Sequence, residues 1–241
     1  MVEKKFSIDK KSYLDYLLKE GVFEPNLTSQ LLASSIVSDI INKNKNFDIL
    51  DLGCGCGIVG ISVFKILDNK NNKLFFSDIS ESAISNTKVN LIKHSLDAKV
   101  KKGSSFNPWS NQKFDLIIDD ISAVSDKVAN MSTWFKDISC DSGIDGSDLT
   151  LEILNKSDSF MNENSVLYFP ILSLSNSNKI LKIAKKKYKK IELLISKKWP
   201  LPKDMYKYYN ELNLFKDKGY INFEILNGLI ICETSVYKCI K

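Results

Sequence analysis

Apolar positions along the chain follow two alternating patterns. Short, nearly unbroken apolar runs occur at Ile49–Leu52, Leu74–Phe76, Leu116–Ile118, Val166–Ile171, Ile191–Ile195 and Leu229–Tyr237. Runs of that length read as buried strands. Between them, apolar residues recur at helical spacing over 58–67, 81–93, 149–161 and 178–187. A weaker strand is expected over Asp97–Lys102. Strand alternating with helix predicts an α/β fold, a mostly parallel sheet with helices on both faces.

The first 45 residues are expected to form a helical extension packed over the mouth of the site. Tyr13, Leu14, Leu17 and Leu18 share one face of a predicted helix over 9–20, closed by Gly21. A loop follows from Val22 to Ser29, then a second helix to Ile41 and a linker through Asn46. The remainder, 46–241, reads as one domain. Within it, 198–227 is expected to be an irregular insertion, because Pro200 and Pro202 oppose regular structure. Its many aromatics suit either a lid or packing against the sheet.

The strand run at Ile49–Leu52 breaks into Gly53-Cys54-Gly55-Cys56-Gly57, and helical spacing begins just after. Strand, glycine turn and helix start together make a ligand cradle of bare backbone and unpaired N–H groups. Gly55, Gly57 and Gly60 formally satisfy G-x-G-x-x-G, the dinucleotide fingerprint. That fingerprint places its first glycine directly after the strand, which here is Gly53, and the third glycine then falls on Ile58. The pattern that fits the strand end is Asp51-x-Gly53-x-Gly55-x-Gly57. A nicotinamide-dependent dehydrogenase remains the competing reading of the turn.

Acids recur at the predicted strand ends. Asp78 closes the second strand, about twenty residues past the turn, where a carboxylate accepts ribose hydroxyls. Asp119 and Asp120 close the fourth. Ligands of such sheets bind outside the carboxyl ends of the strands, so these acids mark a polar site there.

Charge and cysteine usage alter this picture little. The net charge is +5, and all 34 basic residues are lysines. The run Lys185–Lys190 suits a solvated helix end better than a nucleic-acid patch, although an RNA- or DNA-contacting surface stays open. Cys54 and Cys56 have no second pair at zinc spacing, so no metal centre is expected. Five scattered cysteines, no secretory h-region and no membrane-length apolar run lead to an expected cytoplasmic location. His94, the lone histidine, reads as a helix-end residue.

Asp51-x-Gly-x-Gly-x-Gly, Asp78 and Phe114-Asp115-Leu116-Ile117-Ile118-Asp119-Asp120 resemble the class I S-adenosylmethionine (SAM) methyltransferases. More narrowly, 22–200 is similar to the small-domain group that includes the release-factor glutamine N5-methyltransferases. Phe23-Glu24-Pro25 through Ser29 resembles the loop before their first motif, and Gly143-Ile144-Asp145-Gly146 a glycine-acid segment after their fourth strand. The resemblance implies a Rossmann-like seven-stranded sheet with an antiparallel last strand. It implies SAM contacts at Thr28, Asp51, Gly53, Cys54, Gly55, Gly57, Asp78 and Ile79, with Ser104 and Ser105 near the adenine.

Those relatives carry Asn-Pro-Pro-Tyr or Asp-Pro-Pro-Tyr after the fourth strand, where this chain reads Asp120-Ile121-Ser122-Ala123. Only the first position keeps a polar group. The expected activity is therefore methyl transfer to an N or O nucleophile of an unspecified acceptor, a small molecule or a protein before an rRNA or tRNA. A SAM-binding protein without transferase activity is the alternative. If a base is used, Asp120 is the first candidate, with Asp119 and Asp145 next.

Overall fold

A computed structural model describes residues 1–8, 12–41, 45–67, 71–121, 124–135 and 140–241. The central sheet contains β3 (Asp48–Leu52), β4 (Lys73–Asp78), β5 (Lys99–Lys102), β6 (Phe114–Asp119) and β7 (Met161–Leu172). It is completed by β8 (Lys190–Pro200), β9 (Glu224–Leu226) and β10 (Leu229–Ile240). The strand order is β5-β4-β3-β6-β7-β10-β8, with β9 paired to β10 off that path. Strands β3 to β7 pair in parallel, and β10 runs antiparallel to both β7 and β8. This is the Rossmann-like α/β sheet with an antiparallel final strand that the resemblance implies; β9 adds a short eighth strand.

Side-chain alternation sends successive strand residues to opposite faces. Ile49, Leu116 and Ile118 join one core with α1 (Leu27–Ile40) and α2 (Ile58–Leu67). Leu50, Leu52 and Ile117 join the other, with α5 (Asp148–Lys156) and α6 (Ser177–Lys187). The remaining helices are α3 (Glu81–Lys93), α4 (Asp126–Met131) and α7 (Tyr209–Asp217). Among the described residues, no helix is long and apolar enough to cross a membrane.

Two sequence expectations change. The helix expected over 9–20 is instead part of a hairpin, β1 (Val2–Ser7) against β2 (Tyr13–Leu18); residues 9–11 lie outside the described residues. Helical spacing of Tyr13, Leu14, Leu17 and Leu18 loses to tertiary hydrogen bonding. Asn90 Oδ1 on α3 accepts from Leu17 N at 2.8 Å, and Asn86 Oδ1 accepts from Lys19 N at 2.8 Å. Both asparagine amides donate back to the Leu17 carbonyl. The α3 face thus satisfies an extended backbone, the accounting that decides buried segments.

The second change is in 198–227, which is ordered rather than irregular. β8 continues to Pro200, and α7 follows a short 3-10 turn over Lys203–Tyr208. Leu201, Met205, Leu212, Ile221 and Phe223 bury together with Val124, Val128 and Leu174 in a third core. Trp199 packs edge-on against Trp134 with ring centroids 5.9 Å apart. Of the two roles its aromatics suit, packing is the one this arrangement supports. Smaller shifts accompany these: α5 stops at Lys156, and β7 begins at Met161 rather than Ser165.

Candidate active site at the strand ends

The glycine turn leaves β3 immediately after Leu52. Gly53 adopts φ +63°, and a Cβ there would lie 2.5 Å from the Ile121 side chain, so the segment after β6 closes directly over the turn. Gly55 adopts φ +55°, and a Cβ there would meet nothing within 4 Å. The chain thus presents bare backbone to open space at Gly55. Asp78, at the end of β4, holds the turn in place. Its Oδ2 accepts from Gly55 N at 2.9 Å and its Oδ1 from Ser80 N at 2.8 Å. Ser80 in turn caps α3 by accepting from Ala83 N.

Around this turn lies a cavity of about 370 Å³. Gly53, Cys54 and Gly55 form one wall, and Asp78 and Ile79 the next. Ser104 and Ser105 line it beyond β5, and Thr28 and Asp120 close the side toward α1. Asp51, Gly57 and Asp119 do not line it; they sit behind the wall. The sequence-marked residues therefore divide into a lining set and a supporting set.

The supporting acids are deeply buried. Asp51 is 1% exposed; its Oδ2 accepts from Gly60 N at 2.9 Å. Its Oδ1 has no partner among the described residues. Burial drives its carboxyl well above the usual range; the Gly60 N–H opposes this, and Asp120, Asp78 and Asp119 add to it. Asp119, 2% exposed, accepts from Ile121 N at 3.2 Å. Burial first, then Asp120, pushes it up to about 7 against that hydrogen bond.

Asp120 is the acid that opens onto the cavity. Ser29 Oγ, in the first turn of α1, donates to Asp120 Oδ2 at 2.6 Å. Burial raises Asp120 to about 7 despite that bond. Ser122 and Ala123, which complete the motif position, lie outside the described residues.

Two other candidates fall elsewhere. Asp145 is not a lining residue. Its carboxylate accepts from Ser147 Oγ (2.6 Å), Asn176 Nδ2 (3.0 Å) and Lys179 Nζ (3.2 Å). Burial works against those bonds, and the net effect lowers its carboxyl below the usual range. It ties the starts of α5 and α6 together. His94 caps the C-terminus of α3, half-buried, with Nδ1 3.5 Å from Lys65 Nζ. Among the described residues, no group of three or more His, Cys, Asp or Glu side chains is arranged to hold a metal ion.

Phe23 and Ser29, which the sequence marks only as the ends of a loop, line the cavity, and so does Phe135, which no motif marks. Phe23 and Phe135 stack at 5.6 Å with planes 25° apart, although 112 positions separate them in the chain. No local pattern links such a pair.

The family model described as methyltransferase small domain matches residues 18–121. The match takes in a little over two fifths of the chain. It contains α1, β3, the glycine turn, β4 to β6 and Asp120. A release factor glutamine methyltransferase of Clostridium botulinum is 33% identical over 44% of this chain and 38% of its own length. A ribosomal protein uL3 glutamine methyltransferase of Francisella tularensis is 32% identical over 54% of this chain and 41% of its own. The chain therefore spans about two fifths of these relatives. Among solved structures, the Thermus thermophilus 16S rRNA N2 G1207 methyltransferase, in complex with AdoMet and guanosine, aligns with TM-score 0.62. It is 12% identical, over 100% of this chain and 51% of that one. A ribosomal protein L11 methylase of Lactobacillus delbrueckii aligns with TM-score 0.54 and 17% identity, over 90% and 82% of the two chains. Identities this low show shared fold alone.

Proposed function

We propose that the chain is a SAM-dependent methyltransferase that moves a methyl group to an N or O nucleophile seated beside Asp120. The observation that carries this reading is the open backbone at Gly55, pinned by Asp78 and facing a cavity large enough for a nucleoside. The residues present fit the cofactor. Buried Ser105 Oγ has no partner among the described residues and lines the cavity, as does Ser104. These two would take the adenine, and the lone pairs left on Asp78 the ribose hydroxyls. Gly53, Cys54, Gly55 and Thr28 would flank the methionine end, with Asp51 and Gly57 as the support beneath. Bound SAM supplies an electrophilic methyl on a sulfonium.

The chain's own part is positioning and proton handling. Ile121 and the turn at Gly53 close the floor between cofactor and acceptor. Ser29 fixes one oxygen of Asp120, and the other, with no partner among the described residues, would face the acceptor. The relatives whose names state an acceptor act on glutamine of proteins or on ribosomal RNA.

Calorimetry with SAM, S-adenosylhomocysteine and NADH tests the reading. Binding of the first two and none of the third is expected. Binding of NADH alone would replace methyl transfer with hydride transfer.

A further inference from the structure

We propose that the acceptor is an aliphatic amine, entering as its ammonium and held between Asp120 and the Phe23–Phe135 pair. This rests on the methyltransferase reading and names its substrate class.

Charge is the first argument. The charged residues lining the cavity are Asp78, Asp120, Asp141 and Glu152, and no lysine or histidine is among the described lining residues. That is unusual in a chain carrying +5 and 34 lysines. Glu152 is matched by Lys156 at 2.7 Å, and Asp78 is engaged by two backbone amides. For Asp120 the recorded partner is the neutral Ser29 hydroxyl, and no cation is paired with it among the described residues. An enclosed carboxylate without a cation is costly, and its natural complement is a positive group. SAM carries one net positive charge, but Asp51 and Asp78 flank the turn that would receive it. A phosphate or carboxylate acceptor would enter against this field with no cation among the described lining residues to neutralise it. A neutral amide would leave Asp120 uncompensated.

The aromatic pair is the second argument. Phe23 and Phe135 line the same cavity as Asp120 and stack on each other. Phenyl faces attract a desolvated ammonium through their quadrupole and stabilise its methylated product equally well. They come from two separate segments, the loop before α1 and the segment after α4, and meet only at this cavity.

The step balances with groups at hand. The ammonium gives a proton to Asp120 Oδ1, the oxygen that Ser29 does not hold. The freed nitrogen lone pair forms the N–CH3 bond as the S–CH3 bond breaks, and that electron pair stays on sulfur as a neutral thioether. Asp120 then returns its proton to water. A carboxyl near 7 is a better acceptor for this proton than an ordinary aspartate.

The test uses the full chain with methyl-labelled SAM and four probes: cadaverine, a lysine-bearing peptide, a glutamine-bearing peptide and total RNA. Label on cadaverine or on the lysine peptide supports the proposal. The first points to a free small amine and the second to a protein side chain. D120N is expected to lose amine transfer by about 10²–10⁴-fold with SAM affinity within a few fold of the parent. S29A is expected to keep SAM affinity and shift the pH profile of transfer. Label confined to the glutamine peptide or RNA overturns the amine while leaving the methyltransferase reading intact. Amine transfer by D120N at the parent rate overturns the role of Asp120. SAM binding with no label on either amine overturns the proposal, and absence of SAM binding overturns the reading beneath it as well.

Discussion

Asn90 Nδ2 donates to the Cys56 carbonyl at 2.8 Å, tying the last turn of α3 to the glycine turn. The same amide donates to the Leu17 carbonyl at 3.0 Å, and its Oδ1 accepts from Leu17 N. Asn90 is fully buried, so one side chain joins the N-terminal hairpin, α3 and the ligand turn. Replacing it with leucine would leave the Cys56 carbonyl and the Leu17 amide unsatisfied at about 1–3 kcal/mol each. N90L is expected to lose about 2–6 kcal/mol in urea unfolding. It should also weaken SAM binding in calorimetry. A loss of stability with unchanged SAM affinity would detach the hairpin from the turn.

Gly55 provides a cleaner test of the cradle. An alanine there has room for its Cβ but must adopt φ +55°, at a cost of about 1–2 kcal/mol. The same Cβ would project into the space assigned to the ligand. G55A should therefore melt only a few degrees lower, at about 2–4 °C per kcal/mol for a domain of this size. Its SAM affinity should fall by roughly tenfold or more, the equivalent of about 1.4 kcal/mol. Equal affinity would place the ligand elsewhere.

The paired carboxyls at the end of β6 make stability depend on pH. Asp119 and Asp120 both titrate near 7 in the fold, against about 3.9 in an unfolded chain. From about pH 4 to about pH 7 the folded state holds more protons than the unfolded one, so stability falls as pH rises through that window. D120N, which removes one of these charges, should raise the melting temperature by a few degrees at pH 8 and change it little at pH 4. A parallel shift at both pH values would show that the carboxyl is not raised.

The third core separates packing from gating. Leu212 on α7 is fully buried between the insertion and the sheet end, and no residue of 198–227 lines the cavity. L212A should cost about 2–5 kcal/mol in thermal or urea unfolding. SAM affinity at a temperature where the variant is folded should stay near that of the parent. A large loss of affinity with little loss of stability would make the insertion a lid after all.

Much of the site was legible in the sequence because of where parallel sheets place their ligands. Asp51, Asp78 and Asp120 stand at or next to the carboxyl ends of three adjacent strands, and period-two alternation with the glycine break was enough to locate them. Whether an acid lines the cavity or stands behind its wall was not legible. Asp119 and Asp120 are neighbours in the chain, yet strand geometry buries one and opens the other to the ligand space. Asp145 sits in an equally suggestive glycine-acid motif, but its role was settled by Asn176 and Lys179 from the next helix.

The sequence by itself determined the strand–turn–helix at Gly53–Gly57, the α/β class and the acids at the strand ends. These follow from local periodicity and backbone freedom, which nearby residues encode. Tertiary structure alone decided the hairpin at 2–18, the order in 198–227, the contact of Ser29 with Asp120 and the meeting of Phe23 with Phe135 at the same cavity. Each depends on partners distant in the chain. The asparagines of α3 satisfy an extended backbone whose own residues are spaced for a helix, and Phe23 meets Phe135 only once the sheet has brought their loops together.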